Sequence, residues 1–560
     1  MVSTKKKIVE SIVDCGAKHA FTLPGLGVTW MLNEFYEARK DLRLILSRSE
    51  QHASIMAQAY GKAIGKPAVF MGQGPFATTT GAFGILEAYF AGSPMVVLTD
   101  TSCYDGFGMR GVYQTMTGDY GAADARAVLK TMTKACNYAT DVDEAVYGIQ
   151  MAFKQAVLPR MGPAALVLKS NIIRKEFDIN PRVSLYPSAG YQSYSAPKPD
   201  PDAVAAVGVA LKNASKPLFI VGQGCQDTRA RDLIARVAKT AGIAVASSYN
   251  GKGVIDETSP VSVGMLGTWG TKSGNAFVRS ADVIVVIGAS LGPDYMRFCE
   301  PDFIRPQEQR IIQVDVDPRN SGWVYPVELS IQSDSADFLE ALGACDLGNS
   351  KREDRLQWIT QNNEDHGYGR LPDYSTKQGT VHSAEVVKCL DQHLTSDDLL
   401  TLDAGNNRIW VTGAMRIRTP GQLLAPGGIG GMGWSIPAAI GAKAARPDKR
   451  LISLTGDGGA GMSVTALSTA IAENLPITVI VSNNGGLGMV RDNMKGIDYG
   501  VTYPSTNFAQ MARAMGCDAV EVDSVSDLKD ALESSRGAEK PFLIDVSVDP
   551  SVSHYQVSDY

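Results

Sequence analysis

The run Gly456-Asp457-Gly458, followed by Asn483-Asn484 at the end of the next apolar segment, constrains this chain more than any other feature. Leu451 to Thr455 and Ile477 to Ser482 are short and apolar, and both read as buried strands. Between them, Ala460 to Asn474 reads as a helix with Met462, Leu467 and Ile471 on its apolar face. The unit is strand, helix, strand. Asp457 and Asn484 therefore fall at the carboxyl ends of neighbouring parallel strands, where open α/β sheets bind ligands. A carboxylate and an amide oxygen are hard ligands, and with a backbone carbonyl and ligand phosphates they suit octahedral Mg²⁺. A capped turn followed by a surface Asn pair is the plain alternative, and Gly-Asp-Gly alone would warrant it.

In its strand–helix–strand context the motif resembles the thiamine diphosphate signature, in which such a site clamps the cofactor's diphosphate. The resemblance implies Mg²⁺ held by Asp457, Asn484 and the Gly486 carbonyl, with Gly458 and Gly459 against the cofactor. Leu400 to Ala404 reads as a strand running into Gly405-Asn406-Asn407, a polar loop opening a helix. The family places diphosphate contacts there. Gly427-Gly428-Ile429-Gly430-Gly431-Met432-Gly433 precedes an apolar helix, Ile436 to Gly441. By resemblance this loop, with Gly430 and Met432, lies against the pyrimidine, and the Gly430 carbonyl accepts from its 4′-amine. Met462 matches a large apolar residue that props the cofactor in its bent form, a proximity effect. It also reads as plain helix core.

In the first part of the chain, Leu42 to Ser47 reads as a strand and Gln51 to Ile64 as a helix, with Glu50 at their junction. Glu50, Ala59-Tyr60-Gly61, Gly65-Lys66-Pro67 and Gly74-Pro75 together resemble the N-terminal domain of acetohydroxyacid (acetolactate) synthases and their relatives. In that family this glutamate hydrogen-bonds the pyrimidine, so that the imino nitrogen takes the thiazolium C2 proton. A helix-start Glu favoured by the dipole is the alternative. Gln114 and Lys134 match positions near the family's active site, Gln114 as a contact to bound substrate. Either also reads as a solvated polar residue. His52 reads as a surface residue of the helix and receives no role.

At 560 residues the chain exceeds one core. Strand-like and helix-like segments alternate, which predicts an α/β protein of parallel-sheet domains. Pro187 to Pro201 and Gly348 to Gly379 read as linkers. The expected units are a pyrimidine-binding domain over 1–186, a central nucleotide-binding-like domain over 202–347, and a diphosphate- and Mg-binding domain over 380–560. A net charge of −6, with Lys5-Lys6-Lys7 as the sole basic cluster, gives no case for nucleic acid. That cluster opens an amphipathic helical pattern through Ile8, Ile12 and Val13 and reads as a solvated helix start. No apolar run reaches membrane-spanning length. Eight dispersed cysteines without a CxxC pair fit a reducing cytoplasm.

The middle block carries apolar strands at Pro217–Val221, Ala281–Gly288 and Arg310–Asp317. Gly264 to Thr271 resembles the synthase middle domain, which holds FAD there. The family's Arg-Phe-Asp-Asp-Arg run is replaced by Ala289 to Asp294, so FAD, ADP or an empty site all stay open. Two further departures concern pocket walls. Asn493 stands where the synthases have a tryptophan, and Leu23-Pro24-Gly25-Leu26-Gly27 replaces Tyr-Pro-Gly-Gly. Fold does not settle substrate. The first reading is a carboligase or lyase on a small 2-keto acid or 2-hydroxy ketone, active as a homodimer or dimer of dimers (homotetramer). The second is a 2-hydroxyacyl-CoA lyase or acyl-CoA decarboxylase, with Arg408, Arg416 and Arg418 as a basic entrance for the thioester. The third is a non-catalytic homologue, against which the intact Glu50, Asp457 and Asn484 stand.

Overall fold

The computed structural model describes residues 2–103, 116–119, 121–178, 187–371, 374–375, 377–495 and 497–559. Gln114 lies outside the described residues.

Three six-stranded sheets, parallel throughout, organise the chain. Their central strands are continuous apolar runs, as burial on both faces requires. Val283–Ile287, for example, is buried at every position. The first sheet runs in the order Arg43–Leu46, His19–Leu23, Ala68–Gly72, Met95–Thr101, Pro163–Lys169, Ala135–Ala139. The third runs Leu423–Leu424, Asp398–Leu402, Arg450–Gly456, Thr478–Asn483, Phe542–Ser547, Asp518–Val522. Numbered along the chain within each sheet, both read 2-1-3-4-6-5. The first and third units therefore share one topology, a kinship that residue patterns alone left open. The middle sheet reads 3-2-1-4-5-6, the order of dinucleotide-binding folds.

The first and third units also share a core. The Glu50–Ile64 helix packs on the Ser435–Ala445 helix through Ala53, Met56, Ala57, Ile436, Ala439 and Ile440. The two backbones touch where Gly441 meets Met56: a Cβ on Gly441 would lie 2.2 Å from the Met56 carbonyl oxygen. Buried Trp434 donates its indole N–H to Gln58 Oε1 at 2.8 Å, and Gln58 Nε2 donates to Ser93 Oγ at 3.0 Å.

Two expectations need correction. The stretch read as a second linker holds a helix, Arg352–Asp365. It lacks an apolar stripe because a charged side chain anchors it. The buried Arg355 guanidinium donates to the carbonyls of Ala241, Leu347, Leu211 and Ala214 at 2.6–2.9 Å, tying down the ends of two middle-domain helices. The segment read as one helix from Ala460 to Asn474 is instead Asp457–Ser463, a 3-10 turn at Val464–Ala466, and Leu467–Ala472. The break turns Met462 away from the core, and it is 52% exposed.

Candidate cofactor site

The strand order of the third sheet places its switch point between Asp398–Leu402 and Arg450–Gly456. Three loops meet at their carboxyl ends: 403–407, 456–459 and 483–488. Asp457 starts a helix just past its strand. Its Oδ1 accepts from Gly458 N–H at 3.0 Å and its Oδ2 from Gly486 N–H at 2.9 Å. Burial raises its pKa. The Gly486 and Gly458 N–H groups and the Tyr503 hydroxyl oppose that shift by stabilising the charge. Asn484 lies alongside. Its Oδ1 is buried with no hydrogen-bond partner among the described residues, and Asn406 Oδ1 is in the same condition. The two asparagines converge: a Cβ on Gly488 would fall 2.8 Å from Asn484 Nδ2 and 3.0 Å from Asn406 Nδ2. Gly405, at φ +89°, makes the turn that aims Asn406 and Asn407 there, a backbone state that favours glycine.

A carboxylate beside a buried, unsatisfied amide oxygen fits a hard cation. An orphaned buried oxygen costs about 1–3 kcal/mol, and Mg²⁺ accepts this donor type. The residues present thus fit the ion and diphosphate that the motif implies.

The glycine loop stands beside this site. A Cβ on Gly458 would lie 3.6 Å from Met432 Sδ, and one on Gly433 would lie 3.0 Å from Met462 Cβ. Met462 therefore leans over the glycine loop from outside the core, and the helix-core reading fails for it. His52 is buried rather than on the surface, with Nε2 3.5 Å from the Met462 carbonyl oxygen. Burial lowers its pKa.

Glu50 begins its helix behind the Ser49 cap and is half-buried. Among the described residues, no hydrogen bond or ion pair joins its carboxylate to residues 405–407, 427–433 or 457–462. Lys134 is committed elsewhere: its Nζ donates to the Gln155 and Leu158 carbonyls at 2.7 and 2.6 Å, at the end of the Val142–Val157 helix. The three arginines do not form a basic entrance. Arg418 is bidentate on Asp391, Arg416 packs against Gly369, and Arg408 is buried against Tyr249 and Trp269. Asn493 is exposed, and its Oδ1 accepts from the Tyr555 hydroxyl at 2.8 Å.

Sequence reasoning missed Asp403. This carboxylate is fully buried and knits the loops together. It accepts from Ala404 and Gly433 N–H, from Ser435 N–H and hydroxyl, and from the Thr455 hydroxyl, at 2.8–3.2 Å. Burial raises its pKa and these donors oppose the shift. The available signal was an acid closing an apolar strand.

The middle unit is built on the 3-2-1-4-5-6 sheet. Its strand-end glycines are used against each other: Gly222 N–H donates to Ile287 and Gly224 N–H to Gly288, both at 3.0 Å. Trp269, in the synthase-like turn, packs edge-on to Tyr295, which stacks on Tyr249 at 5.4 Å.

Comparison with known proteins identifies the family. The chain belongs to the thiamine pyrophosphate enzymes: residues 3–122 match the N-terminal TPP binding domain, 204–342 the central domain, and 403–546 the C-terminal TPP binding domain. Within that class it is similar to acetolactate synthases. It is 28% identical over 565 residues to the acetolactate synthase large subunit of Corynebacterium glutamicum, covering 97% of this chain and 86% of that one. It is 25% identical over 575 residues to the isozyme 1 large subunit of Escherichia coli, covering 99% and 96%. The protein is an acetolactate synthase-like, thiamine diphosphate-dependent enzyme of the carboligase and transferase kind. Among the described residues, no helix is long and apolar enough to cross a membrane.

Proposed function

We propose that this enzyme is a Mg²⁺-dependent C–C bond lyase or carboligase acting on a small 2-keto acid or 2-hydroxy ketone. The observation that carries the reading is the Asp457 carboxylate beside the orphaned Asn484 oxygen at adjacent strand ends. In this reading Asp457, Asn484 and the Gly486 carbonyl hold the ion. Gly405, Asn406, Asn407, Gly458 and Gly459 hold the diphosphate, while Gly430, Met432 and Met462 position the rings. When bound, thiamine diphosphate supplies a carbon acid that acts as nucleophile and electron sink. Glu50 moves the proton that activates it, and Gln114 contacts substrate.

Glu50 is supplied to the cradle by a second copy of the chain, giving a homodimer or a dimer of dimers. Two features support this: among the described residues no hydrogen bond or ion pair joins Glu50 to its own cradle, and Phe76, Phe90, Ile429 and Met462 are exposed apolar residues. The same reading divides the chain into a pyrimidine-binding unit over 1–186, a central unit over 202–347 and a diphosphate-binding unit over 380–560. All eight cysteines are free thiols, which supports a cytoplasmic setting. An acyl-CoA substrate is disfavoured by the dispersal of Arg408, Arg416 and Arg418.

Asn493 in place of an aromatic wall removes apolar surface, which favours a substrate with polar groups beyond those of pyruvate. A screen of purified, cofactor-loaded enzyme against keto acids, hydroxy ketones and hydroxyacyl thioesters tests the reading. Turnover of a hydroxylated ketone or keto acid above pyruvate supports it. Fastest turnover of a CoA thioester overturns it.

A further inference from the structure

We propose that Glu87 is a positioning residue of the cofactor site: from the first unit, its carboxylate sets the shape of the Gly427–Gly433 loop in the third. The purpose of this tether rests on the thiamine diphosphate reading above. Glu87 is the sole charged residue of the apolar Ala82–Ala91 helix, and it is completely buried. Its Oε1 accepts from Gly428 N–H at 2.7 Å, and its Oε2 accepts from Ile429 and Gly430 N–H at 2.9 and 3.1 Å. Three successive backbone N–H groups converging on one anion form a nest. Here the anion is a side chain from another domain, 341 residues away in sequence.

The same helix presses on the loop one turn earlier. A Cβ on Gly431 would lie 2.5 Å from the Phe83 ring, and one on Gly428 would lie 2.6 Å from the Glu87 carbonyl oxygen. Phe83 and Glu87 stand at i and i+4, so they present a single face to the loop. Lys62, on the helix that Glu50 opens, supplies a positive charge in the field of Glu87. Burial lowers the Lys62 pKa and Glu87 opposes that shift. A buried carboxylate without donors would be strongly unfavourable, so carboxylate and nest hold one another in place. The peptide planes on either side of Gly430 are thereby fixed, and the Gly430 carbonyl is the group read as facing the 4′-amine.

The test uses Glu87→Ala and Glu87→Gln in the full-length protein, with three readouts. Hydrogen exchange of the 428–430 amides in cofactor-free protein reads the tether itself. Titration with thiamine diphosphate in excess Mg²⁺ reads assembly of the site. Exchange of the C2 proton of bound cofactor at saturation reads ring placement. Glu87→Ala should exchange these amides about tenfold faster or more, raise the cofactor dissociation constant about tenfold or more, and slow C2 exchange at saturation. Glu87→Gln keeps the side-chain volume and one acceptor oxygen, so it should fall between Ala and wild type. Variants with a lower melting temperature but wild-type loop protection and wild-type C2 exchange would overturn the proposal, leaving Glu87 as a core acid. Loop protection lost in the variants, from a wild type that binds no thiamine diphosphate, would keep the tether and overturn the cofactor reading instead.

Discussion

Asp457 and Asn484 differ in how their oxygens are satisfied. Asp457 Oδ2 takes the Gly486 N–H at 2.9 Å, whereas the buried Asn484 Oδ1 takes none. One is held in place by the loop it helps to shape, and the other is left with lone pairs to offer a cation.

An oxygen kept unsatisfied for a ligand destabilises the empty protein. Asn484→Ala should therefore leave the cofactor-free melting temperature unchanged or raise it, by up to about 1–3 kcal/mol of stability. The same variant should lose Mg²⁺-dependent cofactor retention. Calorimetry of both proteins without cofactor checks the sign, and a clear drop in stability would mean that the Asn484 oxygen has a structural partner.

Glu50→Gln should retain the cofactor and slow exchange of its C2 proton by orders of magnitude, because it removes a proton carrier and not a binding contact. Quenched-flow exchange followed by NMR measures this. A wild-type rate would return Glu50 to a helix-start role.

Acid should weaken the fold through His393. Burial, then Arg450 and Arg536, lower its pKa from 6.5 to about 4, against the pull of Asp398 and Glu533. The folded ring is neutral where the unfolded one is charged. Its contribution is complete above pH 6.5 and is lost as pH falls toward 4, at most roughly 3 kcal/mol. Urea unfolding across that window should be less steep in pH for His393→Gln than for wild type. Parallel profiles would contradict the assignment.

Lys252 and Glu257 form a buried pair at 2.7 Å that also binds the third unit, through the Met415 carbonyl and the Ile417 N–H. Lys252→Met leaves a buried carboxylate uncompensated and should cost roughly 3–5 kcal/mol. Adding Glu257→Leu should recover part of that loss, because the charge disappears while Ile417 stays unpaired. A double variant no more stable than Lys252→Met in denaturant unfolding would contradict this.

What could be read from the sequence was local. Gly456-Asp457-Gly458 and its strands announce themselves because the ligand-bearing residues follow apolar runs within one strand–helix–strand unit. Glu50 is legible for the same reason, as an acid at a strand-to-helix junction. Asp403, Glu87 and Arg355 were not legible, because most of their partners lie far away in the chain, and for Glu87 and Arg355 they are backbone groups, which carry no residue identity. Arg355 in particular turned a polar stretch that reads as linker into a helix. Met462 was misplaced because periodicity assumes an unbroken helix, and this one breaks after Ser463.

The most direct measurement is titration of the cofactor-free protein with thiamine diphosphate, with and without Mg²⁺, for wild type and Asp457→Ala. Wild type should bind tightly only with the metal present. Asp457→Ala should keep the far-ultraviolet circular dichroism of wild type and show no Mg²⁺-dependent binding. Undiminished, metal-dependent binding by Asp457→Ala would contradict the site described here.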